Sequence, residues 1–265
     1  MATYFTEADY ENSVIELFQN LGYSHIYAPD LERDYSTPLL ESALQDCLER
    51  INKNLPYAAI AEAMSMLRDF ESGSLLQRNE IFMNYLQNGI PVKYVEAGEE
   101  RTNIVYLIDY ANVDHNDLCV LNQFTYIENG NNRRPDVIVF INGLPLVVIE
   151  LKSPSKDEVG AENAYHQIRN YIHDIPSLFI YNAFCVISDL SVTKAGTLTS
   201  GLDRFMEWKS KDGSYENNQF AQFETFYEGM FAKERFLDIL QNFICFSGDK
   251  YNQVKILAGY HQYFA

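Results

Sequence analysis

The segment from Arg133 to Lys152 constrains this chain more than any other: Arg-Arg-Pro-Asp-Val-Ile-Val-Phe-Ile-Asn-Gly-Leu-Pro-Leu-Val-Val-Ile-Glu-Leu-Lys. Two apolar runs meet at Asn142-Gly143, with Asp136 before the first and Glu150 and Lys152 closing the second. Asn-Gly between β-branched runs is a strong hairpin signal, because both residues tolerate the positive φ of a tight turn. The pattern predicts two buried antiparallel strands, 137–142 and 146–152. Side chains alternate along a strand, so Glu150 and Lys152 share a face and Leu151 points into the core. Asp136 joins that face in only one register. A strict two-residue loop sets Asp136 opposite Ile149, whereas a loop from Asn142 to Leu144 sets it opposite Glu150. A one-residue slip turns every side chain over. A three-residue loop or a β-bulge is therefore expected, with Pro145 disrupting the tight register.

Two carboxylates and a lysine at one sheet edge suit a hard divalent cation. Mg2+ takes oxygen ligands and often only one or two protein carboxylates, with water completing its shell. Such an ion polarises a phosphoryl oxygen and lowers the pKa of its water. Lys152 would hold that water or offset charge developing on the phosphate. The same spacing also suits a solvated strand end with a surface Glu-Lys pair, so the residues alone leave both readings open.

The rest of the chain divides by period. A helix is expected over 6–21, capped by Thr6 and ended by Gly22, with Tyr10, Val14, Leu17, Phe18 and Leu21 on one stripe. Glu7 and Glu11 lie one turn apart beside it. A short strand follows at His25. Thr37-Pro38 is read as a cap and first residue of the next helix, and two more helices are expected over 57–70 and 75–87. Met64, Met66 and Met83 read as core filler. From Ile90 the period becomes two. A hairpin turns at Ala97-Gly98, a third strand covers 118–127, and 128–132 is a loop by composition. His115 reads as surface. After Lys152 come a helix near 157–173, a long apolar strand over 178–188 parallel to its neighbour, and a small strand or hairpin over 193–200. Phe205 and Trp208 read as anchors and 209–218 as a loop. One long helix is expected over 220–246.

Arg134-Pro135-Asp136, a hairpin and Glu150-Leu151-Lys152 together resemble the PD-(D/E)xK nuclease signature. With Asn122-Gln123-Phe124, Asn142-Gly143-Leu144-Pro145-Leu146 and Ser153-Pro154 added, the chain is similar to the N-terminal nuclease domain of the R (restriction and motor) subunit of type I restriction enzymes. The resemblance runs from about Leu39 to the C-terminus and is weakest before residue 35 and over 209–218. It implies an α/β (α+β) fold: a restriction-endonuclease-like core with a mixed sheet flanked by helices, and an N-terminal helical elaboration. The nuclease domain would span 1–245, its core about 90–190, with 246–265 starting the connection to a helicase motor. The implied activity is that of a type I site-specific deoxyribonuclease. Asp136, Glu150 and Lys152 would be catalytic, and Asp136 and Glu150 would hold Mg2+. Gln167 and Tyr171, four apart on one helix face, resemble a Gln-x-x-x-Tyr motif associated with DNA in the RecB-like branch. Arg133 and Arg134 are candidate phosphate contacts. Glu11 resembles a further acid found on a helix in such nucleases, although a solvated helix face accounts for it as well. Tyr260-His261-Gln262 resembles a segment just ahead of the motor, where Gln262 would lie near nucleotide. The chain has no Gly-x-x-x-x-Gly-Lys-[Ser/Thr] motif. It therefore reads as an N-terminal portion, with ATP used only by motor domains outside it.

Charge qualifies this picture. Twenty Lys and Arg against 37 Asp and Glu give a net charge of −17. A protein that finds DNA alone is usually basic, because phosphate neutralisation dominates affinity. Double-stranded DNA would then be delivered by the methylation and specificity subunits and the motor. The alternatives are a non-cutting docking module of the same assembly and a stand-alone PD-(D/E)xK repair or resolvase nuclease. No run approaches the roughly 20 apolar residues of a membrane span, and residues 1–7 lack the basic and apolar regions of a signal peptide. Cys47, Cys119, Cys185 and Cys245 have neither zinc nor disulfide spacing and read as reduced, buried thiols of a cytoplasmic protein.

Overall fold

The computed structural model of the chain describes residues 6–152, 160–189, 191–214, 222–249 and 252–265. Thr6 caps α1 (Glu7–Asn20): its hydroxyl accepts from the Asp9 amide at 3.2 Å, and Asp9 accepts from the Thr6 amide at 2.8 Å. After strand β1 (Ser24–Tyr27) come α2 (Glu41–Ile51), α3 (Tyr57–Arg68) and α4 (Leu75–Asn88). Strands β2 (Ile90–Glu96) and β3 (Glu99–Val105) turn at Ala97 and Gly98, both at positive φ. Next are β4 (Leu118–Asn122), the small hairpin of β5 (Tyr126–Glu128) and β6 (Asn131–Arg133), and the main hairpin of β7 (Val137–Ile141) and β8 (Leu144–Leu151). The chain continues through α5 (Gly160–Asp174), α6 (Pro176–Phe179), β9 (Phe184–Ser188), β10 (Thr193–Gly196), α7 (Gln222–Phe231) and α8 (Lys233–Asn242). It closes with a hairpin of β11 (Ile244–Ser247) and β12 (Val254–Leu257) and the turn α9 (Tyr260–Tyr263).

The main hairpin is the centre of a six-stranded sheet ordered β1-β4-β7-β8-β9-β10. The pairs β1–β4 and β8–β9 are parallel and the other three antiparallel, so the sheet is mixed as expected. One face carries Val120, Val139, Val147, Ile149 and Leu151 into a core shared with Tyr10, Phe18, Leu44, Phe82 and Phe231. The other carries Leu121, Ile138, Phe140, Val148 and Ile187 against Ala164, Ile168, Tyr171 and Phe179. Burial on both faces explains why these strands read as nearly continuous apolar runs. Met64 and Met83 are core residues, and Phe205 and Trp208 are buried. Among the described residues no helix is long and apolar enough to cross a membrane.

The structure corrects several expected boundaries. The helix read from Thr37-Pro38 begins at Glu41, because Leu40, whose amide donates to the Gly143 carbonyl at 3.0 Å, has the non-helical backbone of a cap (φ −86°, ψ 79°). The strand expected over 118–127 is broken at Gln123, whose φ is +57°. The expected loop over 128–132 is a tight hairpin, with Asn129 and Gly130 at φ +50° and +82°. The apolar run from 178 begins as the end of α6, initiated by Pro176, and becomes strand only at Phe184. The single helix expected over 220–246 is two helices broken at Ala232, followed by β11, which pairs with β12. Of the cysteines, Cys245 is exposed. Ser153, Pro154, the expected helix start at 157, and 215–218 of the expected loop lie outside the described residues.

Candidate active site

The turn of the main hairpin has two residues. Asn142 and Gly143 sit at φ +52° and +80°. Asn142 is buried and its side chain is fully used: Oδ1 accepts from the Asp117 amide at 2.8 Å, and Nδ2 donates to Leu107 O and Asn116 Oδ1 at 2.9 Å. Ile141 pairs with Leu144 and Phe140 with Pro145, but Val139 pairs with Val147. Leu146 is therefore a bulge residue with no partner on β7, beside Pro145: of the two expected devices, the bulge forms and the three-residue loop does not. Leu146 and Val147 both enter the same core, after which strict alternation resumes. Val137 faces Ile149, and one further step of this register sets Asp136 across from Glu150, on the α5 side of the sheet.

Burial governs the electrostatics there. Glu150 is 2% exposed. Its Oε1 accepts from Lys152 Nζ at 2.5 Å, while Oε2 is buried with no hydrogen-bond partner among the described residues. Burial, reinforced by the neighbouring Asp136 charge, pushes the Glu150 carboxyl up to about 8. Asp136 accepts from the Leu151 amide at 2.8 Å. Burial lifts its carboxyl to about 6, against the opposing pull of the Leu151 amide and Lys152. Burial acts to lower the Lys152 ammonium, but Glu150, Asp136 and Glu7 together outweigh it and the net shift is upward, so Lys152 is charged at neutral pH.

The other predicted residues fall into two groups. Tyr171 is buried on α5 with its hydroxyl close to Glu150 and Gln167, though not within bonding distance of Glu150 Oε2; that hydroxyl donates to the Arg134 carbonyl at 3.4 Å. Burial, then the Glu150 charge, raise that phenol well above its ordinary value, so it remains a donor. The first turns of α1 also reach the site. Glu7 lies 3.7 Å from Lys152 Nζ, and the charges of Glu7 and Glu11 both bear on Asp136. Glu11 is not a solvated acid: it accepts from Asn122 Nδ2 at 2.7 Å and Gln123 Nε2 at 2.6 Å. Arg133 is spent elsewhere, with Nε and Nη2 on Asp174 Oδ2 at 2.7 and 2.5 Å. Arg134 is exposed, and among the described residues no carboxylate pairs with it. Gln262 accepts from the Gly259 amide at 2.8 Å and lines a cavity of about 560 Å³ beside β10 and β12, rather than joining the acids. His115 is held by Asp109 at 2.8 Å. Sequence reasoning assigned no role to Glu7, Asn122 or Gln123. The pair Asn122-Gln123 stood out only through resemblance, because amides carry no spacing signal of their own.

The donor set fits a hard divalent cation. Two adjacent carboxylates, one with a buried and unpartnered oxygen, are each penalised for carrying charge, and a cation relieves that penalty. Among the described residues no group of three or more His, Cys, Asp or Glu side chains forms a metal cage, so water and a ligand would complete the shell.

Residues 4–204 match the protein family described as the type I restriction enzyme R protein N terminus. The chain is 31% identical over 274 residues to the type I restriction enzyme HindI endonuclease subunit of Haemophilus influenzae, covering 97% of this chain and 26% of that protein. It is 30% identical over 280 residues to the putative type I restriction enzyme MjaIXP endonuclease subunit of Methanocaldococcus jannaschii, covering 96% and 26%. It is 27% identical over 260 residues to the type I restriction enzyme EcoprrI endonuclease subunit of Escherichia coli, covering 94% and 77%. The chain thus spans 26% of the length of each of the first two relatives.

Proposed function

Because the chain belongs to the family of type I restriction enzyme R protein N termini, we propose that it is the Mg2+-dependent DNA-cleaving domain of such a subunit. The observation that carries this reading is the meeting of Asp136 with Glu150 at the end of the bulged hairpin, with Lys152 bonded to Glu150 and one Glu150 oxygen left without a donor. Asp136 and Glu150 would hold the cation, which when bound supplies a Lewis acid for the scissile phosphate and its water. The chain's own residues do the rest. The Lys152 ammonium stays charged, holds the attacking water and offsets the charge that grows on the phosphate oxygens. Ile187, opposite Glu150 on β9, and the ring of Tyr171 keep bulk water from the acids. The Gln167 amide and the exposed Arg134 face the path of the DNA backbone and orient it by hydrogen bonds that carry no sequence information.

The net charge of −17 would repel DNA at low salt. Double-stranded DNA is therefore brought to this domain by its methylation and specificity subunits and by ATP-driven motor domains that lie beyond this chain. The test is Lys152→Ala in the full-length subunit within its assembly, following Mg2+-dependent DNA cleavage and ATPase activity together. Lost cleavage with retained ATPase is the expected result. Unchanged cleavage overturns the reading and leaves the domain a docking role.

A further inference from the structure

One carboxylate outside the hairpin holds the backbone that presents Asp136. Asn122 ends β4 and is buried; Gln123 follows it in the left-handed region at φ +57°, which residues with a side chain avoid. Glu11 of α1 spans both, accepting from Asn122 Nδ2 at 2.7 Å and from Gln123 Nε2 at 2.6 Å. A carboxylate only accepts, so it fixes which way both amides point. Asn122 Oδ1 is thereby turned to His25 Nε2 at 2.9 Å. The backbone consequence is direct. In this conformation the Gln123 amide donates to the Asp136 carbonyl at 3.0 Å, while Asp136 Oδ2 takes the Leu151 amide at 2.8 Å. A continuous chain of hydrogen bonds thus runs from Glu11 through Gln123 and Asp136 to the strand that carries Glu150.

We propose that Glu11 is a positioning residue: it clamps Gln123 in the left-handed conformation and so holds Asp136 in register with Glu150, and it is not a ligand of the cation. What that register serves rests on the nuclease reading; the clamp itself does not. Released from Glu11, the Asn122–Gln123 end of β4 is free to shift, and the bond from the Gln123 amide to the Asp136 carbonyl loosens. Glycine adopts positive φ without help, so Gln123→Gly removes the need for the clamp.

Amide hydrogen exchange on the chain tests the clamp without metal. Glu11→Ala is expected to speed exchange at the Gln123 and Leu151 amides by about tenfold, leaving the Asn142 amide at the turn end unchanged. Glu11→Gln keeps one accepting oxygen and should fall between. In a Gln123→Gly background, Glu11→Ala should change nothing at Leu151. Unaltered exchange at Gln123 and Leu151 in Glu11→Ala overturns the proposal. Mn2+ titration gives the second readout. Glu11→Ala should weaken Mn2+ binding about tenfold in the parent chain and not at all in the Gln123→Gly background. A loss that persists in that background shows Glu11 acting on the cation other than through Gln123 and overturns the proposal. If Asp136→Asn leaves Mn2+ binding intact, the nuclease site reading fails while the exchange data still decide the role of Glu11.

Discussion

Asp136 stands across the hairpin from Glu150 because Leu146 has no partner on β7. The two-residue turn alone would have set Asp136 opposite Ile149 and the two acids on opposite faces. One extra residue in β8 returns them to the same face and still lets Leu146 and Val147 enter the core together.

Glu150→Gln separates stability from function. At about pH 9, above the raised value of about 8, wild type carries a charge that burial and Asp136 both penalise. The neutral isostere should raise the metal-free thermal midpoint by about 2–5 °C, while Mn2+ binding falls by about tenfold or more. Differential scanning fluorimetry with and without Mn2+ reads both. A lower metal-free midpoint, or retained stabilisation by Mn2+, would count against the assigned role.

Arg133 and Arg134 are neighbours with different work. Arg133→Ala breaks the pair with Asp174 and should cost about 1 kcal/mol in denaturant unfolding, without altering DNA affinity. Arg134→Ala should leave stability within about 0.5 kcal/mol and lower the salt dependence of duplex binding by about one phosphate contact. Anisotropy titrations of the full-length subunit at several salt concentrations measure the second effect; equal slopes for wild type and Arg134→Ala would exclude that contact.

The turn should tolerate little change. Asn142→Ala loses three side-chain hydrogen bonds and strains a positive φ, for a cost of about 3–4 kcal/mol. Asn142→Gly keeps the conformation and should cost less. In Gly143→Ala the new Cβ would lie 2.7 Å from the Leu40 carbonyl oxygen and 2.9 Å from the Leu44 nitrogen, at φ +80°. Equilibrium unfolding checks the order; Asn142→Gly as costly as Asn142→Ala would mean the backbone conformation matters little.

Lys255 gives a pH dependence far from the acids. It is buried on β12, donating to Asn79 Oδ1 at 2.9 Å and to the Asn182 carbonyl at 2.7 Å, and burial pushes its ammonium down to about 7. The unfolded chain holds that proton up to about pH 10.4. Between these values the unfolded state binds more protons, so stability rises with pH, by up to about 1.4 kcal/mol per pH unit. Below pH 7 the full penalty remains. Lys255→Met should flatten this slope in unfolding experiments across the range; an unchanged slope would show that Lys255 is not its source.

The sequence by itself determined the periodic features. Two apolar runs and the Asn-Gly turn between them fixed a central hairpin; the Thr6 cap and the stripe of Tyr10, Val14 and Phe18 fixed α1; and the Gln167–Tyr171 spacing placed both residues on one helix face. These depend on φ/ψ preferences and on neighbours within a few residues. Only the tertiary structure decided what depends on distant partners. It chose a bulge over a longer loop, broke the strand at Gln123, began α2 at Glu41 after a non-helical Leu40, and made the end of a helical-looking run into β11 by pairing it with β12. It also gave Arg133 to Asp174 and Glu11 to Asn122 and Gln123. Hydrogen bonds and desolvation between separate segments set these outcomes, 41 residues apart for Arg133 and Asp174 and 111 for Glu11 and Asn122, and no local pattern encodes which amide a carboxylate will meet.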